Sequence, residues 1–331
     1  MSQKKSTLSY THCSLWTALI TPLDAEGNIH FDDLRHVAQM QAEAGNGILL
    51  LGSTGEGLAL SEQEKWQVVT SICELALNVP IMVAVGGFNL TEQLKWIAQC
   101  NALPIDGYLL ATPIYAKPGV VGQTEWFSAL LSATQLPCML YNVPSRSAVS
   151  IAIDTLVALQ QHQNLWAMKE ASGDLSQFLA YRQACPELSL FSGDDALLPY
   201  LASAGATGLV SVCSNAWPEA THQYVQLALQ GDEQALFPTW QNAIASLFEV
   251  ANPIPIKVLM YLQQEITHPN LRAPLTHLEL ASSLAISQAD QQITDWLLKQ
   301  NQRVQDAQQL AKQTLAQQNV KTLIDLSCRV N

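Results

Sequence analysis

Short runs of consecutive apolar residues recur along this chain at intervals of about 20 to 35 residues. They are Leu15–Ile20, Gly47–Leu51, Ile81–Val85, Gly107–Ala111, Cys138–Tyr141, Trp166–Met168, Leu188–Phe191 and Gly208–Val212. Each has the length of a strand and is bounded by Gly, Pro, Asp, Asn or Ser, the residues that punctuate strands. Between them, Ser61–Leu77, Thr91–Asn101, Gly122–Thr134 and Leu175–Cys185 carry the spacing of amphipathic helices. Ser61 with Glu64 forms a capping box that opens one of them. Alternating β and α units imply a parallel sheet. Eight such units close into a (β/α)8 TIM barrel. A doubly wound open sheet would ask for a GxGxxG turn after the first strand, where Thr21-Pro22-Leu23-Asp24 stands instead.

After the eighth run the helical signal continues from Glu219 to the end, punctuated by Pro253, Pro255, Pro269 and Pro274. The expected division is therefore a barrel core at 1–218 and C-terminal helices with a Gln-rich helical tail at 219–331. Within Ser287–Val330, Ile293, Trp296, Leu297, Leu310 and Leu315 keep helical spacing. Its composition favours a solvated helical extension with little specific role over an oligomer or partner surface.

The length of 331 residues suits one barrel with an appendage. Hydrophobic residues make up 48% and charged residues 13%, enough for a large core and the reverse of a disordered chain. With 16 basic and 28 acidic residues the formal charge is −12, which argues against nucleic acid as a partner. No apolar stretch is long enough to cross a bilayer, and Met1 to Tyr10 lacks the pattern of a signal peptide. Cys13, Cys73, Cys100, Cys138, Cys185, Cys213 and Cys328 are scattered singly, as expected of reduced thiols in the cytoplasm. The histidines are equally dispersed, so no protein-bound metal site is expected.

Lys169 breaks this bland picture. It ends an apolar run, in Leu165-Trp166-Ala167-Met168-Lys169-Glu170-Ala171-Ser172-Gly173-Asp174. Desolvating an ammonium disfavours its charged form, and a neutral amine can condense with a ketone to a Schiff base. The plain alternative is a strand-end lysine that reaches water or pairs with Glu170.

The other strand ends decide how much weight that alternative keeps, because barrel chemistry lies there. Strand two ends in Gly52-Ser53-Thr54-Gly55-Glu56-Gly57, where two glycines bracket two hydroxyls that can meet a carboxylate. Strand four runs into Thr112-Pro113-Ile114-Tyr115-Ala116-Lys117-Pro118, a tyrosine on a Pro-bounded loop. Strand five ends in Tyr141-Asn142-Val143-Pro144-Ser145-Arg146-Ser147, and Arg146 can clamp a carboxylate. Strand seven ends in Ser192-Gly193-Asp194-Asp195 and strand eight in Val210-Ser211. A Schiff-base lysine needs an acid/base, and Tyr141 with a hydroxyl chain through Ser53 and Tyr115 can supply one. Ser53-Thr54 can hold the carboxylate of a 2-oxo acid. Together these describe a class I, pyruvate-type aldolase.

These segments, with Asn252-Pro253-Ile254-Pro255-Ile256-Lys257, resemble the dihydrodipicolinate synthase / N-acetylneuraminate lyase family along nearly the whole barrel. The resemblance implies that Lys169 forms the Schiff base with pyruvate and that Tyr141 is proton donor and acceptor. Ser53 and Tyr115 would complete the relay, and Thr54, the Val210 backbone and Gly193 would contact pyruvate. It implies no cofactor beyond the lysine–pyruvate imine. It also implies a homotetramer built from tight dimers, with Tyr115 acting in the neighbouring subunit's site. Arg146 matches the synthase branch, which condenses pyruvate with L-aspartate 4-semialdehyde in lysine and diaminopimelate biosynthesis. The alternatives are another pyruvate-dependent aldolase, such as N-acetylneuraminate lyase or a 2-oxo-3-deoxy sugar acid aldolase, and a non-catalytic barrel that binds a small acid.

The departures from the synthase pattern are Ser53, where many members have threonine, and Ser147-Ala148, where Thr-Gly often follows the arginine. The lysine-feedback site of enterobacterial-type members looks eroded, with Glu62, Lys65, Gln93 and Ile114 at altered positions and Asn89 retained. Weak or absent inhibition by lysine is therefore expected.

Overall fold

The computed structural model describes residues 9–232 and 236–327. Eight parallel strands close a barrel in sequence order, with β8 returning to pair with β1. They are β1 Leu15–Ala18, β2 Gly47–Leu50, β3 Ile81–Val85, β4 Gly107–Ala111, β5 Cys138–Asn142, β6 Leu165–Glu170, β7 Ser189–Ser192 and β8 Gly208–Ser211. Between them lie α1 Phe31–Glu43, α2 Glu62–Cys73, α3 Leu90–Cys100, α4 Val120–Ser132, the short α5 Pro144–Ser147, α6 Ile153–Leu159, α7 Leu175–Ala184 and α8 Leu198–Ser203. The eighth barrel helix, α9 Pro218–Gln230, follows β8 and ends at Gly231 in the left-handed region, φ 78°. Three more helices follow, α10 Thr239–Leu247, α11 Ile254–Leu262 and α12 Leu284–Ser327.

The apolar runs are buried on both faces because successive strand residues point to opposite sides. Outward residues such as Ile48, Leu50, Val83, Leu110, Leu140, Met168 and Leu190 join the helices in one large core. Inward residues such as Trp16, Leu49, Met82, Leu109, Met139, Ala167, Phe191 and Val210 fill the barrel. Four aromatic rings, Tyr10, Trp16, Trp166 and Phe191, pack against one another at centroid distances of 5.1 to 6.1 Å. They close the end of the barrel where the strands begin. The capping box that opens α2 is formed, with the Glu64 carboxylate accepting from Ser61 N at 2.8 Å.

The expectation of a solvated C-terminal extension is overturned for the first turns of α12. Ile286, Ala289, Ile293 and Trp296 are buried there. Trp296 meets Trp240 of α10 edge-on at 5.3 Å, and Trp240 stacks on Tyr224 of α9 at 4.4 Å. Asp290 accepts from Trp217 Nε1 at 2.8 Å and from Gln263 Nε2 at 2.6 Å. One buried apolar residue per turn is enough to seat a helix in which Gln, Asp, Ser and Thr hold most of the exposed positions of these turns. The side chains of Leu310 and Leu315, and the residues from Cys328 onward, lie outside the described residues. Among the described residues all six cysteines are free. None of their helices is long and apolar enough to cross a membrane, and no cluster of metal-ligating side chains occurs among them.

Ile293 is 1% exposed. Ile293→Ala should therefore cost ~2–4 kcal/mol in denaturant unfolding. A loss within ~0.5 kcal/mol, as for a surface substitution, would show that α12 is not part of the core.

Candidate active site

The register of β5 and β6 sets Tyr141 directly beside Lys169. Both point into the barrel, and Lys169 Nζ lies 4.4 Å from the centroid of the Tyr141 ring. Lys169 is 6% exposed, and among the described residues no carboxylate lies within ion-pairing distance of it. Its neighbour Glu170 faces the other way by strand alternation. There Glu170 accepts from Asn142 Nδ2 at 2.8 Å and from Ser172 N at 3.0 Å, while burial pushes its carboxyl up. The pairing of Lys169 with Glu170 that a strand-end lysine allows does not form.

Gly193, just past β7, makes room for this lysine. A Cβ there would lie 2.7 Å from Lys169 Cε and 2.6 Å from Ala171 Cβ. The end of β8 is tied by Asp195, whose buried carboxylate accepts from Ser211 Oγ and from Val212 N. Burial pushes the Asp195 carboxyl up, and these donors oppose it. Val210 is thereby fixed in the inner layer of side chains with Tyr141 and Phe191.

The β2 turn carries Ser53 and Thr54 between two non-glycine residues in the left-handed region, Leu51 at φ 62° and Glu56 at φ 54°. Thr21 Oγ1 donates to Gly55 O at 2.7 Å. Thr54 Oγ1 accepts from Asn252 Nδ2 at 3.0 Å, which leaves the Thr54 hydroxyl hydrogen to donate elsewhere. Arg146, on α5, donates to Asn252 O at 3.3 Å. Asn252 thus touches Thr54 and Arg146, two of the residues expected to hold carboxylates.

A cavity of about 130 Å³ opens at this end of the barrel. Ser53, Thr112, Tyr141, Val143 and Arg146 line it on one side, and Glu62, Lys65, Gln93 and Ile114 extend it. Lys169, Thr54, Gly193 and Val210 are not on its wall; Tyr141 links the cavity to Lys169. Tyr115 is the outlier. It is 87% exposed, sits at φ 68°, and does not reach the cavity that its neighbour Ile114 lines. Asn89 caps α3 through Glu92 N and does not line the cavity either.

Sequence reasoning assigned no role to Asn252, Glu56 or Lys257. One signal was available: Lys257 interrupts Ile254-Pro255-Ile256 and Val258-Leu259-Met260, a lysine inside an apolar helix.

The arrangement presents a confined amine, an adjacent phenol and hydroxyl donors fit for a small 2-oxo acid. Gly193→Ala should leave the circular dichroism spectrum of the barrel unchanged while condensation of Lys169 with such an acid slows ~10²-fold, as expected for a displaced nucleophile. An unaltered rate would show that the lysine does not need the space.

A family model described as the dihydrodipicolinate synthetase family matches residues 12–293. The chain is 47% identical to 4-hydroxy-tetrahydrodipicolinate synthase of Francisella philomiragia, over 85% of this chain and 96% of that one. It is 44% identical, with the same shares covered, to the enzyme of that name from Wolbachia pipientis subsp. Culex pipiens. Among solved structures, the 4-hydroxy-tetrahydrodipicolinate synthase of Methylacidiphilum fumariolicum SolV superposes with a TM-score of 0.80 at 32% identity, covering 87% of this chain and 97% of that one. The dihydrodipicolinate synthase of Acinetobacter baumannii complexed with pyruvate gives 0.79 at 30% identity, covering 86% and 98%. The chain belongs to the dihydrodipicolinate synthetase family.

Proposed function

We propose that this protein is a lyase that condenses pyruvate with L-aspartate 4-semialdehyde to 4-hydroxy-tetrahydrodipicolinate, in lysine and diaminopimelate biosynthesis. Relatives of 44% and 47% identity bear the name of that activity, and Lys169 facing Tyr141 inside the barrel is the observation that carries it.

Lys169 Nζ adds to the C2 carbonyl of pyruvate, and loss of water leaves a protonated imine. That imine acts as electron sink, so removal of a C3 proton gives an enamine. The enamine carbon attacks the aldehyde, whose oxygen takes up a proton and remains as the hydroxyl. The substrate amine then adds to the imine carbon, closes the ring and releases Lys169. Tyr141 moves the protons, with Ser53 and Tyr115 as relay. Thr54 donates its free hydroxyl hydrogen to the pyruvate carboxylate, with the Val210 backbone beside it, and Gly193 leaves room for the imine. Arg146, on the cavity wall, pairs with the carboxylate of the aldehyde substrate. That cation favours the synthase reaction over cleavage of sialic acid or a 2-oxo-3-deoxy sugar acid.

The exposure of Tyr115 supports a tight dimer in which its phenol enters the neighbouring site, with two dimers forming a homotetramer. Six unpaired cysteines among the described residues suit a reducing cytoplasm.

Turnover of pyruvate with aspartate semialdehyde should exceed cleavage of sialic acid or 2-oxo-3-deoxy sugar acids, and the reverse order would sink the synthase reading. Tyr141→Phe should lower kcat by ~10²–10³ if the phenol carries the protons. A kcat that does not move would remove Tyr141 from that role.

Glu62, Lys65, Glu92, Gln93 and Ile114 extend the cavity; Gln93 carries an amide, the Lys65 ammonium stands close to Glu62, and Glu92 lies 4.0 Å from Lys95, so each carboxylate there already has a lysine beside it. Millimolar L-lysine should therefore leave turnover nearly unchanged. Half-inhibition at sub-millimolar lysine would contradict this.

A further inference from the structure

We propose that the buried Glu56–Lys257 ion pair positions the β2 turn for pyruvate, so that Glu56 and Lys257 set the affinity for that substrate without touching it. This rests on the reading of Ser53 and Thr54 as its hydroxyl partners. Lys257 is fully buried, and its Nζ lies 2.5 Å from Glu56 Oε1. Lys257 also donates to Asn270 O at 2.8 Å, and Glu56 Oε2 accepts from Arg272 N at 2.7 Å. The Arg272 guanidinium in turn pairs with Glu64 in the first turn of α2. Both oxygens of one carboxylate are thus taken up by a single stretch of chain, residues 257–272.

Stability alone does not account for such a pair. Desolvation offsets most of the attraction between two buried charges, and apolar residues of the same volume usually serve as well. Burial pushes the Lys257 ammonium below its ordinary value, and Glu56 opposes that push. What the pair supplies is direction. Glu56 is left-handed at φ 54° and Leu51 at φ 62°, so the turn between them persists only where its surroundings hold it. Gly57 packs so tightly on Leu51 O that a Cβ there would collide with it. The C-terminal segment grips this turn at two points, Asn252 on Thr54 and Lys257 on Glu56. The two gripped residues flank Gly55, whose carbonyl is held by Thr21. A turn released at Glu56 would carry Ser53 and Thr54 away from the carboxylate they are to meet.

The test uses the full chain and four variants: Glu56→Gln, Lys257→Met, the double Glu56→Gln/Lys257→Met, and Ile293→Ala as a remote core control. The readouts are KM for each substrate, kcat and the thermal midpoint. Lys257→Met should raise KM for pyruvate ~10-fold or more, with kcat at saturating pyruvate and KM for the aldehyde little changed, the signature of lost uniform binding. Glu56→Gln keeps one acceptor and should give a smaller rise in the same direction. The double variant removes the unpaired carboxylate, so its midpoint should recover while KM for pyruvate stays high. Ile293→Ala should lower the midpoint and leave both KM values alone. KM for pyruvate unmoved in every variant, or returning to normal with the midpoint in the double variant, would overturn the proposal. Failure of the unmodified protein to turn over pyruvate would instead bring down the functional reading, and this inference with it.

Discussion

A β-strand sends successive side chains to opposite faces, and closing the sheet turns one face into a sealed interior. Everything at the site depends on that alternation along β6. Lys169 goes inward, beside Tyr141 on β5, while Glu170 goes outward to Asn142 and Ser172. The amine is thereby separated from the carboxylate next to it in sequence, and among the described residues no other acid pairs with it. A register shifted by one residue would exchange the two and leave a carboxylate in the barrel.

The barrel alone does not finish the site. The β2 turn that carries Ser53 and Thr54 is bonded by the segment that follows the eighth barrel helix, Asn252 to the Thr54 hydroxyl and Lys257 and Arg272 to the Glu56 carboxylate. That segment also meets Arg146 on α5 through the Asn252 carbonyl. The helix α12 covers α10 from outside with Ile293 and Trp296 and shares Asp290 with Trp217 and Gln263. The chain after the barrel thus shapes the ends of β2 and β5 as directly as the strands do.

Much of this was legible in the sequence because the strands are apolar without interruption. Ile81–Val85 and Gly107–Ala111 agree with β3 and β4 residue for residue. At β6 the apolar run stops at Met168, yet the ladder continues through Lys169 and Glu170, because backbone pairing does not require an apolar side chain. At β1 the reverse holds: Leu19 and Ile20 are buried but lie past the end of the strand. Lys169, Tyr141, Ser53 and Arg146 were legible as types of chemistry at strand ends. Asn252 was not, since its partner Thr54 is 198 residues away and local periodicity carries no trace of such a contact. The seat of α12 was hidden by composition, one apolar residue per turn among glutamines. Tyr115 could be named but not placed, because a single chain leaves it facing solvent.

Borohydride reduction of the protein in the presence of pyruvate, followed by peptide mapping with mass spectrometry, is the most direct test of the claim that the barrel singles out Lys169 as its nucleophile. The mass of one reduced pyruvate adduct is expected on the peptide carrying Lys169, and none on those carrying Lys65 or Lys257. No adduct, or an adduct on another lysine, would contradict it.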